Sequence, residues 1–209
     1  VSLLLPVLVR KGLVSVNGKT VSKPGVKVTP SDTIIVDGAE IRLEENVYYM
    51  MNKPAGVISA TEDKHTETVL DLLPDELQRP NLFPAGRLDK DTEGFMLITN
   101  DGDFAHRILS PRRKVPKTYF AVINRRFDFE KLAVAFSEGV VIGRGEETSG
   151  AKLELVEMAE NPRVTLVIYE GMFHQVKRMF EAFDLEVVYL KRIKIGGLAL
   201  DSSLKPGET

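Results

Sequence analysis

The sequence predicts an α+β protein in two domains, on three observations. Short apolar runs ended by turn residues read as strands. Stretches with helical spacing are brief and lie between those strands. The composition shifts around Glu44-Glu45-Asn46, which separates a small unit, residues 1–45, from a larger one, residues 46–209.

In the small unit an apolar segment runs to Arg10-Lys11-Gly12, where the glycine reads as a helix stop. Its opening, Val1 to Val9, has no basic leader and no small-residue cleavage site, so it does not read as a signal peptide. The absence of an initiator Met implies that Val1 is not the natural start. Leu13-Val14-Ser15-Val16 alternates into Asn17-Gly18, a tight-turn pair. Lys19, Lys23 and Lys27 line the arm that follows, and residues 32–38 read as a second strand. A helix on a small basic sheet results; a merely solvated basic face is the plain alternative.

In the larger unit, residues 47–54 read as a strand closed by Pro54. Thr68 is placed to cap a short helix over residues 69–73, ended by Pro74. Next comes a polar loop, Gly86 to Gly94, feeding the apolar run Phe95-Met96-Leu97-Ile98-Thr99, which stops at Asn100-Asp101-Gly102. That pattern is a buried strand with a carboxylate, Asp89, in the loop before it, a common way to build a site. Taken alone, the loop is better described as a charged surface turn. A helix is expected over 103–109 and another over 128–137, stopped at Gly139. Residues 118–123, 151–158, 163–169 and 187–195 read as strands. Val176, Met179 and Phe180 sit at i, i+3 and i+4, the core face of a last helix, from which Lys177 and Arg178 leave at different angles.

Charge is nearly balanced, 28 basic residues against 30 acidic ones, so no global field advertises a polyanion partner. Binding of RNA would need local patches. One such patch exists, because Arg107, Arg112, Arg113, Lys114, Lys117, Arg125 and Arg126 follow one another without an acid between them. There is no cysteine, hence no disulfide or thiolate metal site. No apolar run approaches the roughly 20 residues of a membrane span. His65 and His106 lack the spacing of metal ligands.

Gly86-Arg87-Leu88-Asp89-x-x-Thr92-x-Gly94, with its apolar strand and Thr99-Asn100-Asp101-Gly102, resembles the signature of the pseudouridine synthases, and more narrowly of the RsuA family of ribosomal RNA pseudouridine synthases. Tyr48-x-x-x-Asn52-Lys53-Pro54-x-Gly56, the block from Ser110 to Tyr119, and His174-Gln175-Val176-Lys177-Arg178-Met179 are similar to further blocks of that family in the same order. Lys11 to Lys19 resembles the second half of an S4 RNA-binding domain. That family's first helix is not recognisable, and Pro6 would disturb a helix interior, so the S4-like domain is expected to be incomplete.

The resemblance implies a mixed, mainly antiparallel sheet of the pseudouridine synthase type in the larger domain. It implies isomerisation of uridine to pseudouridine in ribosomal RNA, with small-subunit 16S rRNA favoured by the wording of the Lys-Thr-Tyr and His-Gln-Val-Lys-Arg-Met-Phe blocks. Asp89 takes the place of the nucleophile, Tyr119 that of the ring stacked on uracil, and Lys177 that of the cation paired with the aspartate. Arg87, Arg112, Arg113, Lys114, Lys117, Arg178, Arg192 and, in the small domain, Lys19 are the RNA-binding candidates. Asp91 lies in the same loop as Asp89, and only its motif position sets it aside. The enzyme is expected to act as a cytoplasmic monomer on ribosomal RNA or a pre-ribosomal particle, with no cofactor, metal or membrane. A glycosidase using Asp89 and Asp91, and a non-catalytic RNA-binding module, are the competing classes.

Overall fold

The computed structural model describes residues 5–29, 31–41 and 46–209. The chain divides into two compact units, Val1–Val47 and Tyr48–Thr209. The linker expected at Glu44 and Glu45, and the first four residues of the opening apolar segment, lie outside the described residues.

The small unit starts with α1 (Leu5–Arg10). Pro6 is the second described residue of this helix, and the residues before Leu5 lie outside the described residues. Gly12 ends the turn at φ +70°, a value that favours glycine. β1 (Val14–Val16), β2 (Lys19–Thr20), β3 (Ile34–Val36) and β4 (Ala39–Ile41) form an antiparallel sheet in the order β2-β1-β3-β4. Asn17-Gly18 and Asp37-Gly38 both take positive φ and close its two hairpins, so the single strand expected over 32–38 is a strand followed by a turn. The Asn17 amide donates to Asp32 and its oxygen accepts from the Thr33 N–H, which fixes the return of the arm.

The larger unit is built on one eight-stranded mixed sheet. Its strands are β5 (Tyr48–Lys53), β6 (Phe83–Pro84), β7 (Glu93–Thr99) and β8 (Lys117–Ile123). A separate small ribbon, β9 (Val141–Ile142) and β10 (Glu146–Glu147), lies between them and β11 (Lys152–Glu157) and β12 (Arg163–Ile168). β13 (Val187–Ile195) and β14 (Leu198–Ala199) complete the set. The order is β11-β12-β8-β13-β7-β5, with β6 on β7 and β14 on β13. Only β13 and β7 run parallel; the other pairs are antiparallel.

β7 is the apolar run of the sequence, and Phe95, Met96 and Ile98 are fully enclosed there. The glycine before that run, Gly94, has φ +100°, and a side chain on it would collide with the backbone oxygen of Arg192 in β13. Glycine at the end of the motif is therefore a demand of the parallel β7–β13 contact.

Helices α2 (Gly102–Leu109), α3 (Phe129–Glu138) and α4 (Gln175–Glu181) accompany the sheet. Asp101 caps α2 by accepting the Phe104 N–H, and Asp128 caps α3 by accepting the Lys131 N–H. Phe136 of α3 meets Phe180 of α4 edge to face at 5.1 Å between ring centres, and both are fully buried. Enclosing such a ring contributes about 1.5–3 kcal/mol. The helix expected over 69–73 is absent. Asp71 accepts both the N–H and the hydroxyl of Thr68, which closes a turn instead, and a 3-10 turn at Asp75–Leu77 follows Pro74. Among the described residues, no helix is long and apolar enough to cross a membrane.

Candidate active site

The loop that leads into β7 is pinned from behind. Lys53, at the end of β5, is fully buried, and its Nζ donates to the backbone oxygens of Pro54 at 2.9 Å, Lys90 at 3.4 Å and Thr92 at 2.9 Å. Burial drives the Lys53 amine down to about 8, against the opposing pull of Asp91, Asp89 and Glu93. The Ser59 hydroxyl donates to the Leu88 oxygen and accepts the Leu88 N–H, both at 2.9 Å. The Gly56 N–H reaches the Lys90 oxygen, and the Thr92 N–H turns back on the Asp89 oxygen. Leu88 and Thr92 face inward, which leaves Asp89 between them with 27% of its side chain exposed.

α4 supplies the groups opposite. Its buried face is Gln175, Val176, Met179 and Phe180. Gln175 fastens the preceding loop by donating to Glu170 at 2.8 Å and accepting the Met172 N–H at 3.0 Å. His174 precedes the helix at φ +48°, and its ring stacks on Phe173. From that position His174 Nε2 stands 3.4 Å from Asp89 Oδ1, and Lys177 Nζ stands 3.7 Å from Asp89 Oδ2. Lys177 is closer to Asp91, at 2.6 and 2.7 Å from its two oxygens. That hydrogen bond and the lysine charge hold the Asp91 carboxyl below its usual range. Lys177 therefore bridges both carboxylates, with Asp91 as its tighter partner.

Tyr119 is 7% exposed and lies in the middle of β8. Alternation along that strand puts Lys117 and Tyr119 on the same inward face, and Arg192 of β13 pairs with Tyr119 in the ladder. A cavity of about 390 Å³ opens there, lined by Arg87, Asp89, Lys117, Tyr119, His174 and Arg192 among others. Asp89, Tyr119, His174 and Lys177 also border a narrower cleft beside it.

The other RNA-binding candidates divide into three groups. Arg112, Arg113 and Lys114 are exposed on the 3-10 turn Pro111–Arg113 and its left-handed end, and Arg87 and Lys19 are exposed as well. Lys117 and Arg192, at 7% and 2% exposure, lie inside the sheet layer and line the cavity instead of the outer surface. Arg178 stands by itself in the third group. It donates to the Phe173 oxygen and pairs with Glu146, packed over Gly143, so its charge is taken up within the chain. Reading the sequence alone gave His174, Lys53 and Ser59 no role. For Lys117 the signal was present, two residues from Tyr119 on a strand of period two.

Among the described residues, no three His, Cys, Asp or Glu side chains group as metal ligands. A carboxylate held between nitrogen donors at the mouth of a cavity is the equipment of nucleophilic catalysis. A buried tyrosine in the same wall offers a flat surface to a ring, and the basic turn nearby offers charge to a phosphate backbone. Fold and site together define an enzyme that handles a nucleic-acid base.

Comparison with known proteins gives that class its family. The family model of RNA pseudouridylate synthase matches residues 47–182, and that of the S4 domain matches residues 7–34. An uncharacterised RNA pseudouridine synthase of Bacillus subtilis is 46% identical over 203 residues, covering 96% of this chain and 84% of the relative. Ribosomal large subunit pseudouridine synthase B of the same organism is 41% identical, covering 88% of this chain and 76% of its own. Ribosomal small subunit pseudouridine synthase A of Escherichia coli is 38% identical, covering 96% and 85%. The crystal structure of a pseudouridylate synthase superimposes with a TM-score of 0.72 at 36% identity, covering all of this chain and 88% of the other. The chain belongs to the RNA pseudouridylate synthase family, in its RsuA-type branch with an N-terminal S4 domain, and is an RNA pseudouridine synthase.

Proposed function

We propose that this enzyme isomerises one uridine of ribosomal RNA, in the small subunit, with Asp89 as nucleophile. The observation that carries the reading is the placement of Asp89 at the cavity mouth between His174 and Lys177, with Tyr119 in the wall. The target base must leave its stack to reach that carboxylate. Tyr119 then stacks on the uracil, and the Asp89 oxygen takes C1′ as the bond to N1 breaks and its electron pair leaves with the base. After the base turns over, C5 attacks C1′ and the carboxylate departs unchanged. C5 loses its proton, N1 gains one, and the product is an isomer of the substrate. Lys177, itself held by Asp91, is the cation that orients Asp89.

The exposed Arg112, Arg113 and Lys114 suit phosphate contacts, as do Arg87 and, in the S4 domain, Lys19. The protein works as a monomer in the cytoplasm, on ribosomal RNA or an assembling particle. Relatives named for each ribosomal subunit stand at similar identity, and the 41% match to a large-subunit enzyme favours the second reading, a 23S-type target. Mapping pseudouridines in both ribosomal RNAs of a deletion strain, with and without a plasmid-borne gene, tests the proposal. Loss of one small-subunit site, restored by wild type and not by Asp89→Asn, is expected. Loss in the large subunit would select the second reading, and no loss in either would reject ribosomal RNA.

A further inference from the structure

Two cations in the cavity wall have no salt-bridge partner among the described residues. Arg192 is 2% exposed; its Nε donates to the Phe95 oxygen at 2.8 Å, while its Nη2 is buried without a hydrogen-bond partner. No carboxylate pairs with it among the described residues. Lys117 is 7% exposed and donates only to the Val115 oxygen, at 3.1 Å. Burial and the nearby Arg192 charge both lower the Lys117 amine, with Glu170 opposing weakly. Enclosing a charge without a partner is costly, and an arginine does not escape by losing its proton. Asp89, the carboxylate of this cavity, is already engaged by His174 and Lys177. The missing negative charge must therefore come with the substrate or arise during the reaction.

The geometry points to Arg192 and Lys117 as catalytic residues that stabilise the uracil anion released when the C1′–N1 bond breaks. This rests on the reading of Asp89 as nucleophile. The electron pair of that bond leaves on the base and spreads over its ring nitrogens and carbonyl oxygens. Arg192 is the ladder neighbour of Tyr119 and Lys117 lies two residues from it on the same face, so a pyrimidine stacked on Tyr119 presents its edge to both cations. A preorganised donor pair in an enclosed site acts on charge as it develops and needs no reorganisation. A backbone phosphate fits the place less well. It trails a sugar on either side, whereas these cations sit inside the sheet layer, and the exposed basic turn remains available for the backbone.

Barbiturate, a planar pyrimidine anion at neutral pH, is the probe, compared with neutral uracil and with inorganic phosphate. Titration calorimetry on the full chain should show barbiturate bound about 10- to 100-fold more tightly than uracil, the range expected for a hydrogen bond to a charged group. Lys117→Met and Arg192→Met should abolish that preference, and Arg192→Lys should keep part of it. In single turnover on saturating RNA, each Met variant should lose about 100- to 1,000-fold in rate, with RNA affinity kept. Lys117→Met carries the comparison if Arg192→Met does not fold, as melting curves would show. Equal binding of barbiturate and uracil by wild type would overturn the inference. So would displacement of barbiturate by equimolar phosphate, which would make the cavity a phosphate subsite, or Met variants that lose RNA affinity instead of rate. The probe binding needs no knowledge of the target, so a wrong RNA assignment would leave it intact.

Discussion

Replacing Lys53 by Met tests how the loop that carries Asp89 is held. The amine is fully enclosed and donates to three backbone oxygens, two of them, Lys90 and Thr92, in the loop that carries Asp89. Hydrogen bonds from a charged group are worth about 1.5–3 kcal/mol each. Relief from burying the charge offsets much of their loss, so a net destabilisation of about 2–4 kcal/mol is expected at neutral pH. The pH dependence is more diagnostic. The amine ionises near 10.5 when free and at about 8 in the fold, lowered first by burial. Between those values the unfolded chain holds a proton that the folded chain has released, so stability rises with pH across that window. At about 1.4 kcal/mol per pH unit, the gain from this group totals about 3 kcal/mol. Lys53→Met lacks that gain, so the gap between wild type and variant should widen by that amount from about pH 8 to pH 10.5. Urea unfolding of both proteins across the window measures it, and other lysines and tyrosines cancel in the difference. Parallel stability curves would refute the buried, depressed amine.

Asp89→Asn should abolish single-turnover formation of pseudouridine while RNA affinity and melting temperature hold. Asp91→Asn frees Lys177 from its tight partner and should slow turnover only modestly; Lys177→Met should cost more, since both carboxylates lose their shared cation. Changing Arg112, Arg113 and Lys114 together to Ala should weaken RNA binding and flatten its dependence on salt, read from affinities over a salt series. A chain cut to residues 48–209 should still melt cooperatively by calorimetry, with weakened RNA affinity.

Much of this architecture was legible in the residues. The run Phe95 to Thr99 announced a buried strand because every position is enclosed, and Asp128 and Gly139 announced both ends of α3. The Thr68 turn was not legible, because one capping residue serves a helix or an Asx-type turn equally well until Asp71 is seen to accept from it. At the site, Asp89 and Tyr119 came from the motif, whereas the contacts that hold them came from geometry. Lys53 reads as an ordinary strand end before a proline; only the fold shows three carbonyls converging on it. His174 approaches Asp89 because it adopts positive φ ahead of α4, which no spacing rule signals. Lys177 and Arg178 are adjacent and alike in sequence, and the helix sends one to Asp91 and the other to Glu146.

The cations of this enzyme work in two dielectric settings, and salt should tell them apart. Arg112, Arg113 and Lys114 stand in water, where charges are screened over about 8 Å at physiological ionic strength. Whatever they contribute to RNA binding falls as salt releases less counterion entropy. Arg192 and Lys117 lie beneath the surface beside Tyr119, and once a base fills the cavity no counterion can enter between them and the ring. On the proposed role, their effect on the bond-breaking step would be insulated from salt, whereas the step that delivers the base would not. A chain with net charge −2 needs this separation. It has no general positive field, so on the proposals above capture would fall to a few surface cations and charge stabilisation to enclosed ones. Raising salt should then lower affinity for RNA while the rate at saturation stays level; a rate that falls in step with affinity would place the buried pair in binding instead of chemistry.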